Sequence, residues 1–422
     1  MKSVPFTGQP CTRKERCPMV RRQLPRWSEL RPLLRVEPPQ LNPTRRRLAR
    51  AHTIGDLRAI ARRRTPRAVF DYTDGAAEGE TSLRRARQAF RDVEFRPSVL
   101  RDVSGVDTTT SVLGKPSAMP FSLAPTGFTR MMNHEGETAV VRVAQRAGIP
   151  YGLSTMGTTS IEDTATAGPA ARKWFQLYVW RDRAASRDLV QRAREAGYEA
   201  LILTVDTPVA GARLRDMRNG LTIPPALTLK TIADGAMHPA WWFNLLTTEP
   251  LSFASFSRWE GTAAELINEM FDPSLNFTDV EWLREAWDGP LIVKGLQNVP
   301  DARRVVELGA DAVILSNHGG RQLDRAPTML ELLPQVREAI GDRAEIMLDT
   351  GILSGADIVA ALALGADSCL VGRAYLYGLM AGGEQGVQRA VDILRTEVVR
   401  TMQLLGVSKV DDLDGSYAVL RR

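Results

Sequence analysis

The chain of 422 residues is 44% hydrophobic and 25% charged, which excludes an intrinsically disordered protein and allows one large α/β barrel with additions or two ordinary domains. Its net charge of +6 is unevenly distributed along the chain. Residues 1–50 hold 13 Lys and Arg against 3 Asp and Glu, and the remaining residues hold 42 Lys and Arg against 46 Asp and Glu. The body of the protein therefore has no charge signature of a nucleic-acid-binding domain, although the basic arm could contact anionic lipid.

Residues 1–52 form a basic arm rich in Arg and Pro, and this composition predicts a flexible tail rather than a domain. We expect Met19 to be the natural start of translation and residues 1–18 to be an extension. Cys11, Cys17 and Cys369 have neither metal-ligand spacing nor a disulfide framework, so a reducing cytoplasmic compartment is expected. The arm lacks the apolar core of a secretory signal, and no apolar run reaches the roughly 18 residues that predict a spanning helix.

From Thr53 the pattern becomes that of a folded domain, residues 53–422, which opens with a helix start at Thr53-Ile54-Gly55-Asp56-Leu57. Eight apolar runs follow Pro120, at 121–125, 151–154, 174–179, 200–205, 291–293, 312–315, 345–348 and 368–371. Helical patterns lie between them, as at 138–147, 186–196, 300–308, 328–340 and 356–364. This alternation predicts an α/β fold, a (β/α)8 TIM barrel whose chemistry lies in the loops after the strands. A doubly wound sheet is the alternative, weakened by the lack of a G-x-G-x-x-G turn after the first strand.

The interval after the fourth predicted strand is too long for a single helix, so we expect an insertion at about residues 209–285. It contains Trp241-Trp242-Phe243 and Leu245-Leu246. This apolar cluster predicts a lid, an oligomer contact or an interfacial membrane anchor, and burial within the protein is the simplest interpretation.

The sixth predicted strand ends in Ser316-Asn317-His318-Gly319-Gly320-Arg321-Gln322-Leu323-Asp324. His318 is a titratable base, and Arg321 in the same turn carries a guanidinium group with a fixed positive charge. This pairing suits the binding of a small acid. A histidine beside an apolar strand is more often a structural residue, so the catalytic interpretation depends on the rest of the chain.

The other strand ends also carry polar or glycine residues. These are Thr126 and Gly127, Ser154, Gln176 and Tyr178, Thr204 and Asp206 with Arg213 beyond, Lys294, Asp349 and Gly351, and Gly372 and Arg373. Hydroxyl, amide and lysine groups fit the edge of a polar heteroaromatic ring, and glycine turns after the last two strands match the phosphate site of this barrel. Two arginines, a histidine and tyrosines remain for a small carboxylate.

Several motifs occur together and in order from about Thr53 to Leu405. They are APTG at 124–127, FQLY at 175–178, LTVDTP at 203–208, VKG at 293–295, SNHGGRQLD at 316–324 and GRAYLYG at 372–378. In this combination the chain resembles the family of FMN-dependent L-2-hydroxy acid oxidases and dehydrogenases. The segments PPALTLKT and HPAWWFNLLTTEP make it most similar to the actinobacterial L-lactate dehydrogenase branch.

The resemblance implies a role for each candidate residue. His318 would be the catalytic base and Asp206 would stabilise its imidazolium, while Arg213 and Arg321 hold the substrate carboxylate and Tyr72 and Tyr178 contact the substrate. The cofactor FMN would be bound by Thr126, Gly127, Ser154, Gln176, Thr204, Lys294, Asp349, Gly351, Gly372 and Arg373. Lys294 would stabilise the reduced ring, and the phosphate would lie at Gly351, Gly372 and Arg373. No metal is expected.

Two positions depart from the family pattern. Leu353 occupies a position after the seventh strand where many members have an arginine, so phosphate binding must rely more on Arg373 and backbone N–H groups. Met156 occupies the position of a substrate-loop tryptophan, and its flexible apolar side chain leaves the preferred substrate side chain open.

The resemblance implies oxidation of an L-2-hydroxy acid, foremost L-lactate to pyruvate, with electrons passed to quinone or a cytochrome. It also implies a homo-oligomer, a tetramer, with a peripheral contact on the inner face of the cell membrane and no nucleic-acid partner. An oxidase that passes electrons to O2 and forms hydrogen peroxide is the first alternative. The others are an aldolase-like barrel with Lys294 as a Schiff-base lysine and a nucleic-acid-binding scaffold that uses residues 1–50.

Overall fold

The computed structural model describes residues 23–34, 40–220, 234, 236–251, 254 and 271–421. It contains two compact units, Met1–Asn42 and Pro43–Arg422. The described part of the first unit has one short helix, α1 (Trp27–Leu30), with no buried side chain. The expected extension 1–18, the start at Met19 and the PPALTLKT segment lie outside the described residues.

The second unit contains the elements that form the body of the protein. Its described helices are α2 (Pro43–Leu48), α3 (Ile54–Arg64), α4 (Arg67–Asp74), α5 (Thr81–Arg91), α6 (Thr129–Met132), α7 (Gly136–Ala147), α8 (Ile161–Ala167), α9 (Arg183–Glu195), α10 (Leu214–Asn219), α11 (Pro239–Leu246), α12 (Phe277–Ala286), α13 (Val299–Glu307), α14 (Met329–Ile340), α15 (Gly355–Ala363) and α16 (Arg373–Leu405). Its described strands are β1 (Val93–Phe95), β2 (Thr110–Val112), β3 (Lys115–Ser117), β4 (Phe121–Leu123), β5 (Tyr151–Ser154), β6 (Lys173–Leu177), β7 (Ala200–Thr204), β8 (Leu291–Leu296), β9 (Ala312–Leu315), β10 (Glu345–Leu348), β11 (Ser368–Val371) and β12 (Ala418–Leu420).

The strands β4 to β11 form a closed barrel in chain order, with β11 paired to β4, and every pair is parallel. Each strand coincides with one of the eight predicted apolar runs. The predicted TIM barrel is therefore confirmed, and the closed sheet excludes the doubly wound alternative. Closure also brings the loops after all eight strands to one end of the barrel.

Along each barrel strand, side chains point alternately into the barrel and away from it, since successive side chains point to opposite faces of a sheet. The apolar interior cluster includes Trp174, Ile202, Ile292, Ile314 and Met347. Two residues further along the same strands, the inward positions are polar, and they are occupied by Gln176, Thr204, Lys294, Ser316 and Asp349. The barrel is therefore filled with apolar side chains below and closed by a polar layer at its carboxyl end.

Residues 43–64, which precede the barrel in the second unit, pack against its last helix. Thr53 caps α3 by accepting a hydrogen bond from the Asp56 amide, and Asp56 bonds back to the Thr53 amide, as the predicted helix start requires. The helix α2 packs against α16, with Leu48 buried and the Arg47 guanidinium donating to the Ala381 carbonyl. Residues from Pro43 onward thus belong to the compact unit, although the sequence suggested an arm up to residue 52.

The long crossover from β7 to β8 carries α10, α11 and α12. The last of these has Val280 and Leu283 buried, as expected for a barrel crossover helix. In α11, Trp241 packs against the core and donates a hydrogen bond from Nε1 to the Met131 carbonyl at 3.0 Å. None of the helices in the described ranges is both long and apolar enough to cross a membrane.

Candidate active site

A cavity of about 710 Å³ lies at the carboxyl ends of the barrel strands. All of the candidate residues except Asp206, Gln176 and Thr204 line it. Those three belong to the layer directly beneath, where Asp206 contacts His318, Gln176 contacts Ser154, and Thr204 pairs with Lys294 across β7 and β8. The fold therefore brings the candidate residues from all eight loops to one place.

His318, which lines the cavity, forms a hydrogen-bonded pair with Asp206. The Nδ1 atom of His318 lies 3.1 Å from Oδ1 of Asp206, whose side chain is only 1% exposed, while that of His318 is 22% exposed. The other ring nitrogen, Nε2, has no hydrogen-bond partner within the described part of the chain and belongs to a side chain that lines the cavity. An imidazole oriented by a carboxylate on one side and open on the other is suited to accept a proton.

The electrostatic surroundings of this pair shift the pKa values of both residues. Burial lowers the pKa of His318 below its usual value, an effect that Asp206 only partly opposes, so the imidazole is neutral at neutral pH. Burial alone would raise the pKa of Asp206, but its interaction with His318, including their hydrogen bond, and the positive charge of Lys294 outweigh burial and hold this pKa below its usual value. A neutral imidazole beside an ionised carboxylate is the protonation state that a general base requires.

The turn that carries His318 has a strained backbone. His318 adopts φ +58°, and Gly319 follows with φ +66°. Glycine adopts this left-handed conformation without strain, and the absence of a side chain at Gly319 leaves room for the Arg373 guanidinium, whose Nη1 would lie 2.6 Å from a Cβ there. A histidine in the left-handed region costs about 1–2 kcal/mol, and the Ser316 hydroxyl supports the turn by accepting a hydrogen bond from the His318 amide at 3.0 Å.

Asp206 is held by two residues whose roles were not anticipated from the sequence. Gly295, at φ +106°, leaves room for it, because a Cβ at this position would lie 2.8 Å from Asp206 Cγ. The Gln322 amide donates from Nε2 to the carbonyls of Asp206 and Val209, and its Oε1 accepts from the Gly211 amide. Gln322 belongs to the same SNHGGRQLD motif as His318, and this was the one signal that could have identified it.

Two arginines flank the pair and face Tyr72. The guanidinium carbons of Arg321 and Arg213 lie 4.7 Å and 5.8 Å from the centre of the Tyr72 ring. Burial and the nearby Arg213 lower the pKa of Arg321 to about 9, and Nε of Arg213 is buried with no partner among the described residues. Two adjacent guanidinium groups would be stabilised by a shared anion, and a carboxylate matches their geometry.

Aromatic side chains form the wall of the cavity beside these arginines. Tyr178 makes an edge-to-face contact with Phe271, with ring centres 5.7 Å apart, and Tyr72 makes a similar contact with Phe128 at 6.1 Å. Burial, followed by the charge of Asp206, raises the pKa of Tyr178, so its hydroxyl stays protonated. Phe128 and Phe271 were not among the candidates, because an isolated Phe in a loop carries no sequence signal of a site. Met156 completes the wall, as expected.

Lys294 lies at the end of β8 in a network of charges. Its Nζ atom donates to the Ser316 hydroxyl at 3.1 Å and lies 3.3 Å from Oδ2 of Asp349. The Ser316 hydroxyl also donates to Asp349 at 2.7 Å, so Ser316 connects Lys294, Asp349 and the His318 turn. Lys294 is 4% exposed, and its amine is held as a partner of a carboxylate rather than as a free nucleophile.

The remaining polar layer has unused hydrogen-bonding atoms. Ser154 donates to Oε1 of Gln176 at 3.0 Å, yet Nε2 of Gln176 and Oγ1 of Thr204 are buried with no partner among the described residues. A buried polar group without a partner is costly, so these atoms fit a polar ligand above them. Together with Lys294, they match the ring edge of the flavin that the resemblance implies. Thr126 instead hydrogen-bonds to the Tyr375 hydroxyl, and Gly127 lies against Met156.

The expected phosphate end lies between the loops after β10 and β11. Gly351 and Gly372 line the cavity there, and Gly372 is followed directly by α16, whose amino end favours an anion. Arg373 makes several backbone contacts: its Nε donates to Thr73, and its Nη2 donates to Gly75 and Gly319. Much of the hydrogen-bonding capacity of Arg373 is thus already used within the protein.

The chain is similar to known proteins over most of its length. A model of the family described as FMN-dependent dehydrogenase matches residues 61–420. The chain is 59% identical over 404 residues, 96% of its length and 98% of the relative's, to a protein of Mycobacterium tuberculosis (strain ATCC 25618 / H37Rv) that is provisionally named L-lactate dehydrogenase. It is 41% identical over 366 residues, 85% of its length and 95% of the relative's, to the L-lactate dehydrogenase of Caulobacter vibrioides (strain NA1000 / CB15N).

Solved structures give the same result. The chain is similar to the crystal structure of the monotopic membrane protein (S)-mandelate dehydrogenase, with a TM-score of 0.85 and 38% sequence identity. The match covers 88% of this chain and all of the other. The likeness thus extends over most of this chain.

Proposed function

The chain belongs to the FMN-dependent dehydrogenase family, and from that premise we propose that it oxidises L-lactate to pyruvate and passes the electrons to quinone or a cytochrome. The single observation that carries the proposal is the His318 and Asp206 pair, 3.1 Å apart, in the same cavity as Arg213 and Arg321. A base and two guanidinium groups side by side fit a small molecule that has a hydroxyl next to a carboxylate. The names of the relatives favour lactate.

The residues divide the work according to their chemistry. Arg213 and Arg321 bind the substrate carboxylate and so direct its hydroxyl toward Nε2 of His318. His318 accepts the hydroxyl proton, and Asp206 stabilises the imidazolium that results. FMN, when bound, supplies the acceptor for the two electrons and the C2 hydrogen of the substrate. Lys294 contributes a positive charge at the end of β8, which favours the additional negative charge of a reduced ring.

The aldolase-like alternative is disfavoured by the surroundings of Lys294. A Schiff-base lysine must present an uncharged amine to its substrate, whereas Lys294 lies 3.3 Å from the Asp349 carboxylate and donates to Ser316. Visible absorption of the purified protein tests this point. We expect the bands of an oxidised flavin, and a colourless protein that forms a borohydride-trapped adduct at Lys294 would reverse the assignment.

The substrate is tested by anaerobic flavin reduction. L-lactate should bleach the flavin absorption within seconds of mixing, while D-lactate at the same concentration should leave the flavin oxidised. Glycolate and L-mandelate measure the tolerance of the Met156 wall for smaller and larger side chains. Equal reduction by both lactate enantiomers, or none by either, would contradict the proposed activity.

The electron acceptor distinguishes a dehydrogenase from an oxidase. With lactate-reduced protein, we expect reoxidation by a soluble quinone analogue to be at least about tenfold faster than reoxidation by air-saturated buffer, and no stoichiometric hydrogen peroxide. Fast reoxidation by air with one peroxide per flavin would instead support the oxidase alternative.

We further propose a peripheral membrane contact on the inner face of the cell membrane, made by α11. Trp241 is turned inward, but Phe243 and Leu246, three residues apart on this helix, are 68% and 72% exposed. Exposed apolar side chains on one helix face suit the interfacial region of a bilayer, and the similar mandelate dehydrogenase is a monotopic membrane protein.

Vesicle sedimentation tests the membrane contact. Changing Phe243→Ser and Leu246→Ser together should lower binding to phosphatidylglycerol vesicles and leave flavin reduction by lactate unchanged. Leu404→Ser, at an equally exposed leucine of α16, is the matched control. If the unmodified protein never sediments with vesicles, α11 is instead a structural or subunit contact, and light scattering will show whether the tetramer that the resemblance implies forms.

A further inference from the structure

We propose that Arg87 on α5 is a ligand of the FMN phosphate and takes the place of the arginine that is missing at Leu353. The inference rests on the proposed FMN-dependent function, and it assigns a binding residue to a part of the chain that precedes the barrel. One face of α5 borders the cavity at its phosphate end.

The helix α5 directs basic side chains toward this end. Arg84, Arg87 and Arg91 all line the cavity, and their spacing of three and four residues places them on one face of the helix. Arg87 is the central one, and its Nη1 atom donates to the Gly351 carbonyl. Gly351 belongs to the loop after β10, where the phosphate is expected.

Arg87 is also held in place by a carboxylate. Its Nη1 atom lies 2.8 Å from Oδ2 of Asp357 in the first turn of α15, and its guanidinium packs over the Phe90 ring at 5.7 Å. These contacts use one nitrogen, so Nε and Nη2 have no hydrogen-bond partner among residues that the structure describes. A guanidinium fixed at one nitrogen and free at two others is prepared to donate to an anion without a large loss of side-chain entropy.

Leu353 explains why such a residue is needed. Its backbone N–H donates to the same Asp357 oxygen at 2.8 Å, and its apolar side chain packs partly against the core, so it contributes no charge to the cavity. Arg373, the other cation at this end, already donates to the carbonyls of Thr73, Gly75 and Gly319. Arg87 is therefore the cation that is both anchored beside Gly351 and still has free donors.

A comparison of FMN with riboflavin isolates the phosphate interaction. Starting from the holoprotein, FMN is exchanged for each flavin in turn, and the dissociation constants are measured by quenching of flavin fluorescence. Loss of charge-assisted hydrogen bonds to the phosphate should weaken FMN binding by about 10- to 100-fold in Arg87→Ala. Riboflavin binding should change less than about threefold, since riboflavin lacks the phosphate.

Three further variants make the result specific. Arg85→Ala, at an exposed arginine of the same helix that does not line the cavity, is the matched control and should change the ratio of FMN to riboflavin affinity by less than about threefold. Arg87→Lys retains the charge and should lose less than Arg87→Ala. Leu353→Arg in the Arg87→Ala background should restore most of the preference for FMN. If Arg87→Ala does not fold, Arg87→Gln, which can still donate to Gly351, replaces it.

The outcomes separate this inference from the proposed function. An Arg87→Ala protein that weakens FMN and riboflavin equally would show that Arg87 only supports the fold of the loop, and the inference would be wrong while the FMN enzyme remained. A wild-type protein that binds neither flavin would contradict the proposed function itself. A loss confined to FMN, with rescue by Leu353→Arg, is the result we expect.

Discussion

Nδ1 of His318 lies 3.1 Å from Oδ1 of Asp206, although the two residues are 112 positions apart in the chain. They are brought together because Asp206 follows β7 and His318 follows β9, and these strands are both neighbours of β8 in the closed barrel. Gly295 near the end of β8 leaves room for Asp206, since a Cβ there would lie 2.8 Å from Cγ of Asp206. The pair is therefore a product of three consecutive barrel strands.

Replacing His318→Asn separates catalysis from architecture. Asn retains a polar side chain in the turn but removes the proton acceptor, so flavin reduction by L-lactate should slow at least about a hundredfold. The protein should remain yellow and still bind oxalate, because its cofactor and carboxylate ligands come from other residues. Stopped-flow reduction and an oxalate titration measure the two effects.

The matched control is His52→Asn, which alters an exposed histidine that does not line the cavity and should change neither quantity. Unchanged flavin reduction in His318→Asn would eliminate its role as the base. Loss of flavin or of folding would show that His318 is chiefly structural.

Replacing Asp206→Asn should alter both the rate and its pH dependence. The pKa of His318 is lowered mainly by burial, and the Asp206 charge opposes this. Removing the charge lowers the pKa of His318 further, so the acid limb of flavin reduction against pH should move to lower pH. The plateau should fall by about 10²-fold or more, because the imidazolium formed in the reaction loses its partner. An acid limb that moves to higher pH, or stays in place, would contradict this account of the pair.

Replacing Arg321→Lys should weaken substrate binding more than it slows chemistry. Lysine keeps a positive charge but cannot donate two parallel hydrogen bonds or pack as a plane over the Tyr72 ring. We expect the KM for L-lactate and the Kd for oxalate to rise about 10- to 100-fold, with Arg213→Lys giving a smaller effect in the same direction. Arg181→Lys, at an exposed arginine outside the cavity, serves as the control. Unaltered oxalate binding in both variants would exclude a carboxylate site here.

Asp74 joins the segments on either side of the cavity, and Asp74→Asn should lower stability. Its carboxylate accepts hydrogen bonds from Arg58 at 2.5 Å and 2.9 Å, from Arg215 at 3.1 Å and from the Tyr377 hydroxyl at 2.8 Å. Because Arg58 and Arg215 remain partly exposed, we expect the free energy of unfolding at pH 7 to fall by about 1–2 kcal/mol. Urea unfolding with saturating FMN measures this difference.

The effect of Asp74→Asn should also depend on pH. Burial alone would raise the pKa of Asp74, but its hydrogen bonds to Arg58 and Tyr377 outweigh burial and hold this pKa below its usual value. A carboxyl whose pKa is lower in the folded state stabilises the protein above its unfolded pKa and loses that contribution as pH falls through the folded value. The gap between wild type and variant should therefore be constant from pH 7 to about pH 5 and shrink below about pH 4. A gap that widens on acidification would contradict the assignment.

The sequence by itself determined the barrel and the set of residues at its open end. Eight apolar runs separated by helical patterns require parallel strands with buried faces, and a closed barrel brings the residues after every strand to one end. For this reason Tyr178, Lys294 and Arg373 could be placed together without any knowledge of their contacts. Periodicity is a local property of the chain, so it can be read before the fold is known.

Only the tertiary structure decided how these residues are held. Gln322 supports the Asp206 loop, Phe271 packs on Tyr178, and Arg87 reaches Gly351 from a helix that precedes the barrel. Each contact joins residues that are far apart in sequence, and the periodicity of the chain gives no signal of which distant residue a glutamine, a phenylalanine or an arginine contacts. In the same way, nothing local distinguishes Trp241, which turns inward, from Phe243, which remains exposed. Their orientation depends on which surface the helix α11 meets, and that is a property of the whole fold.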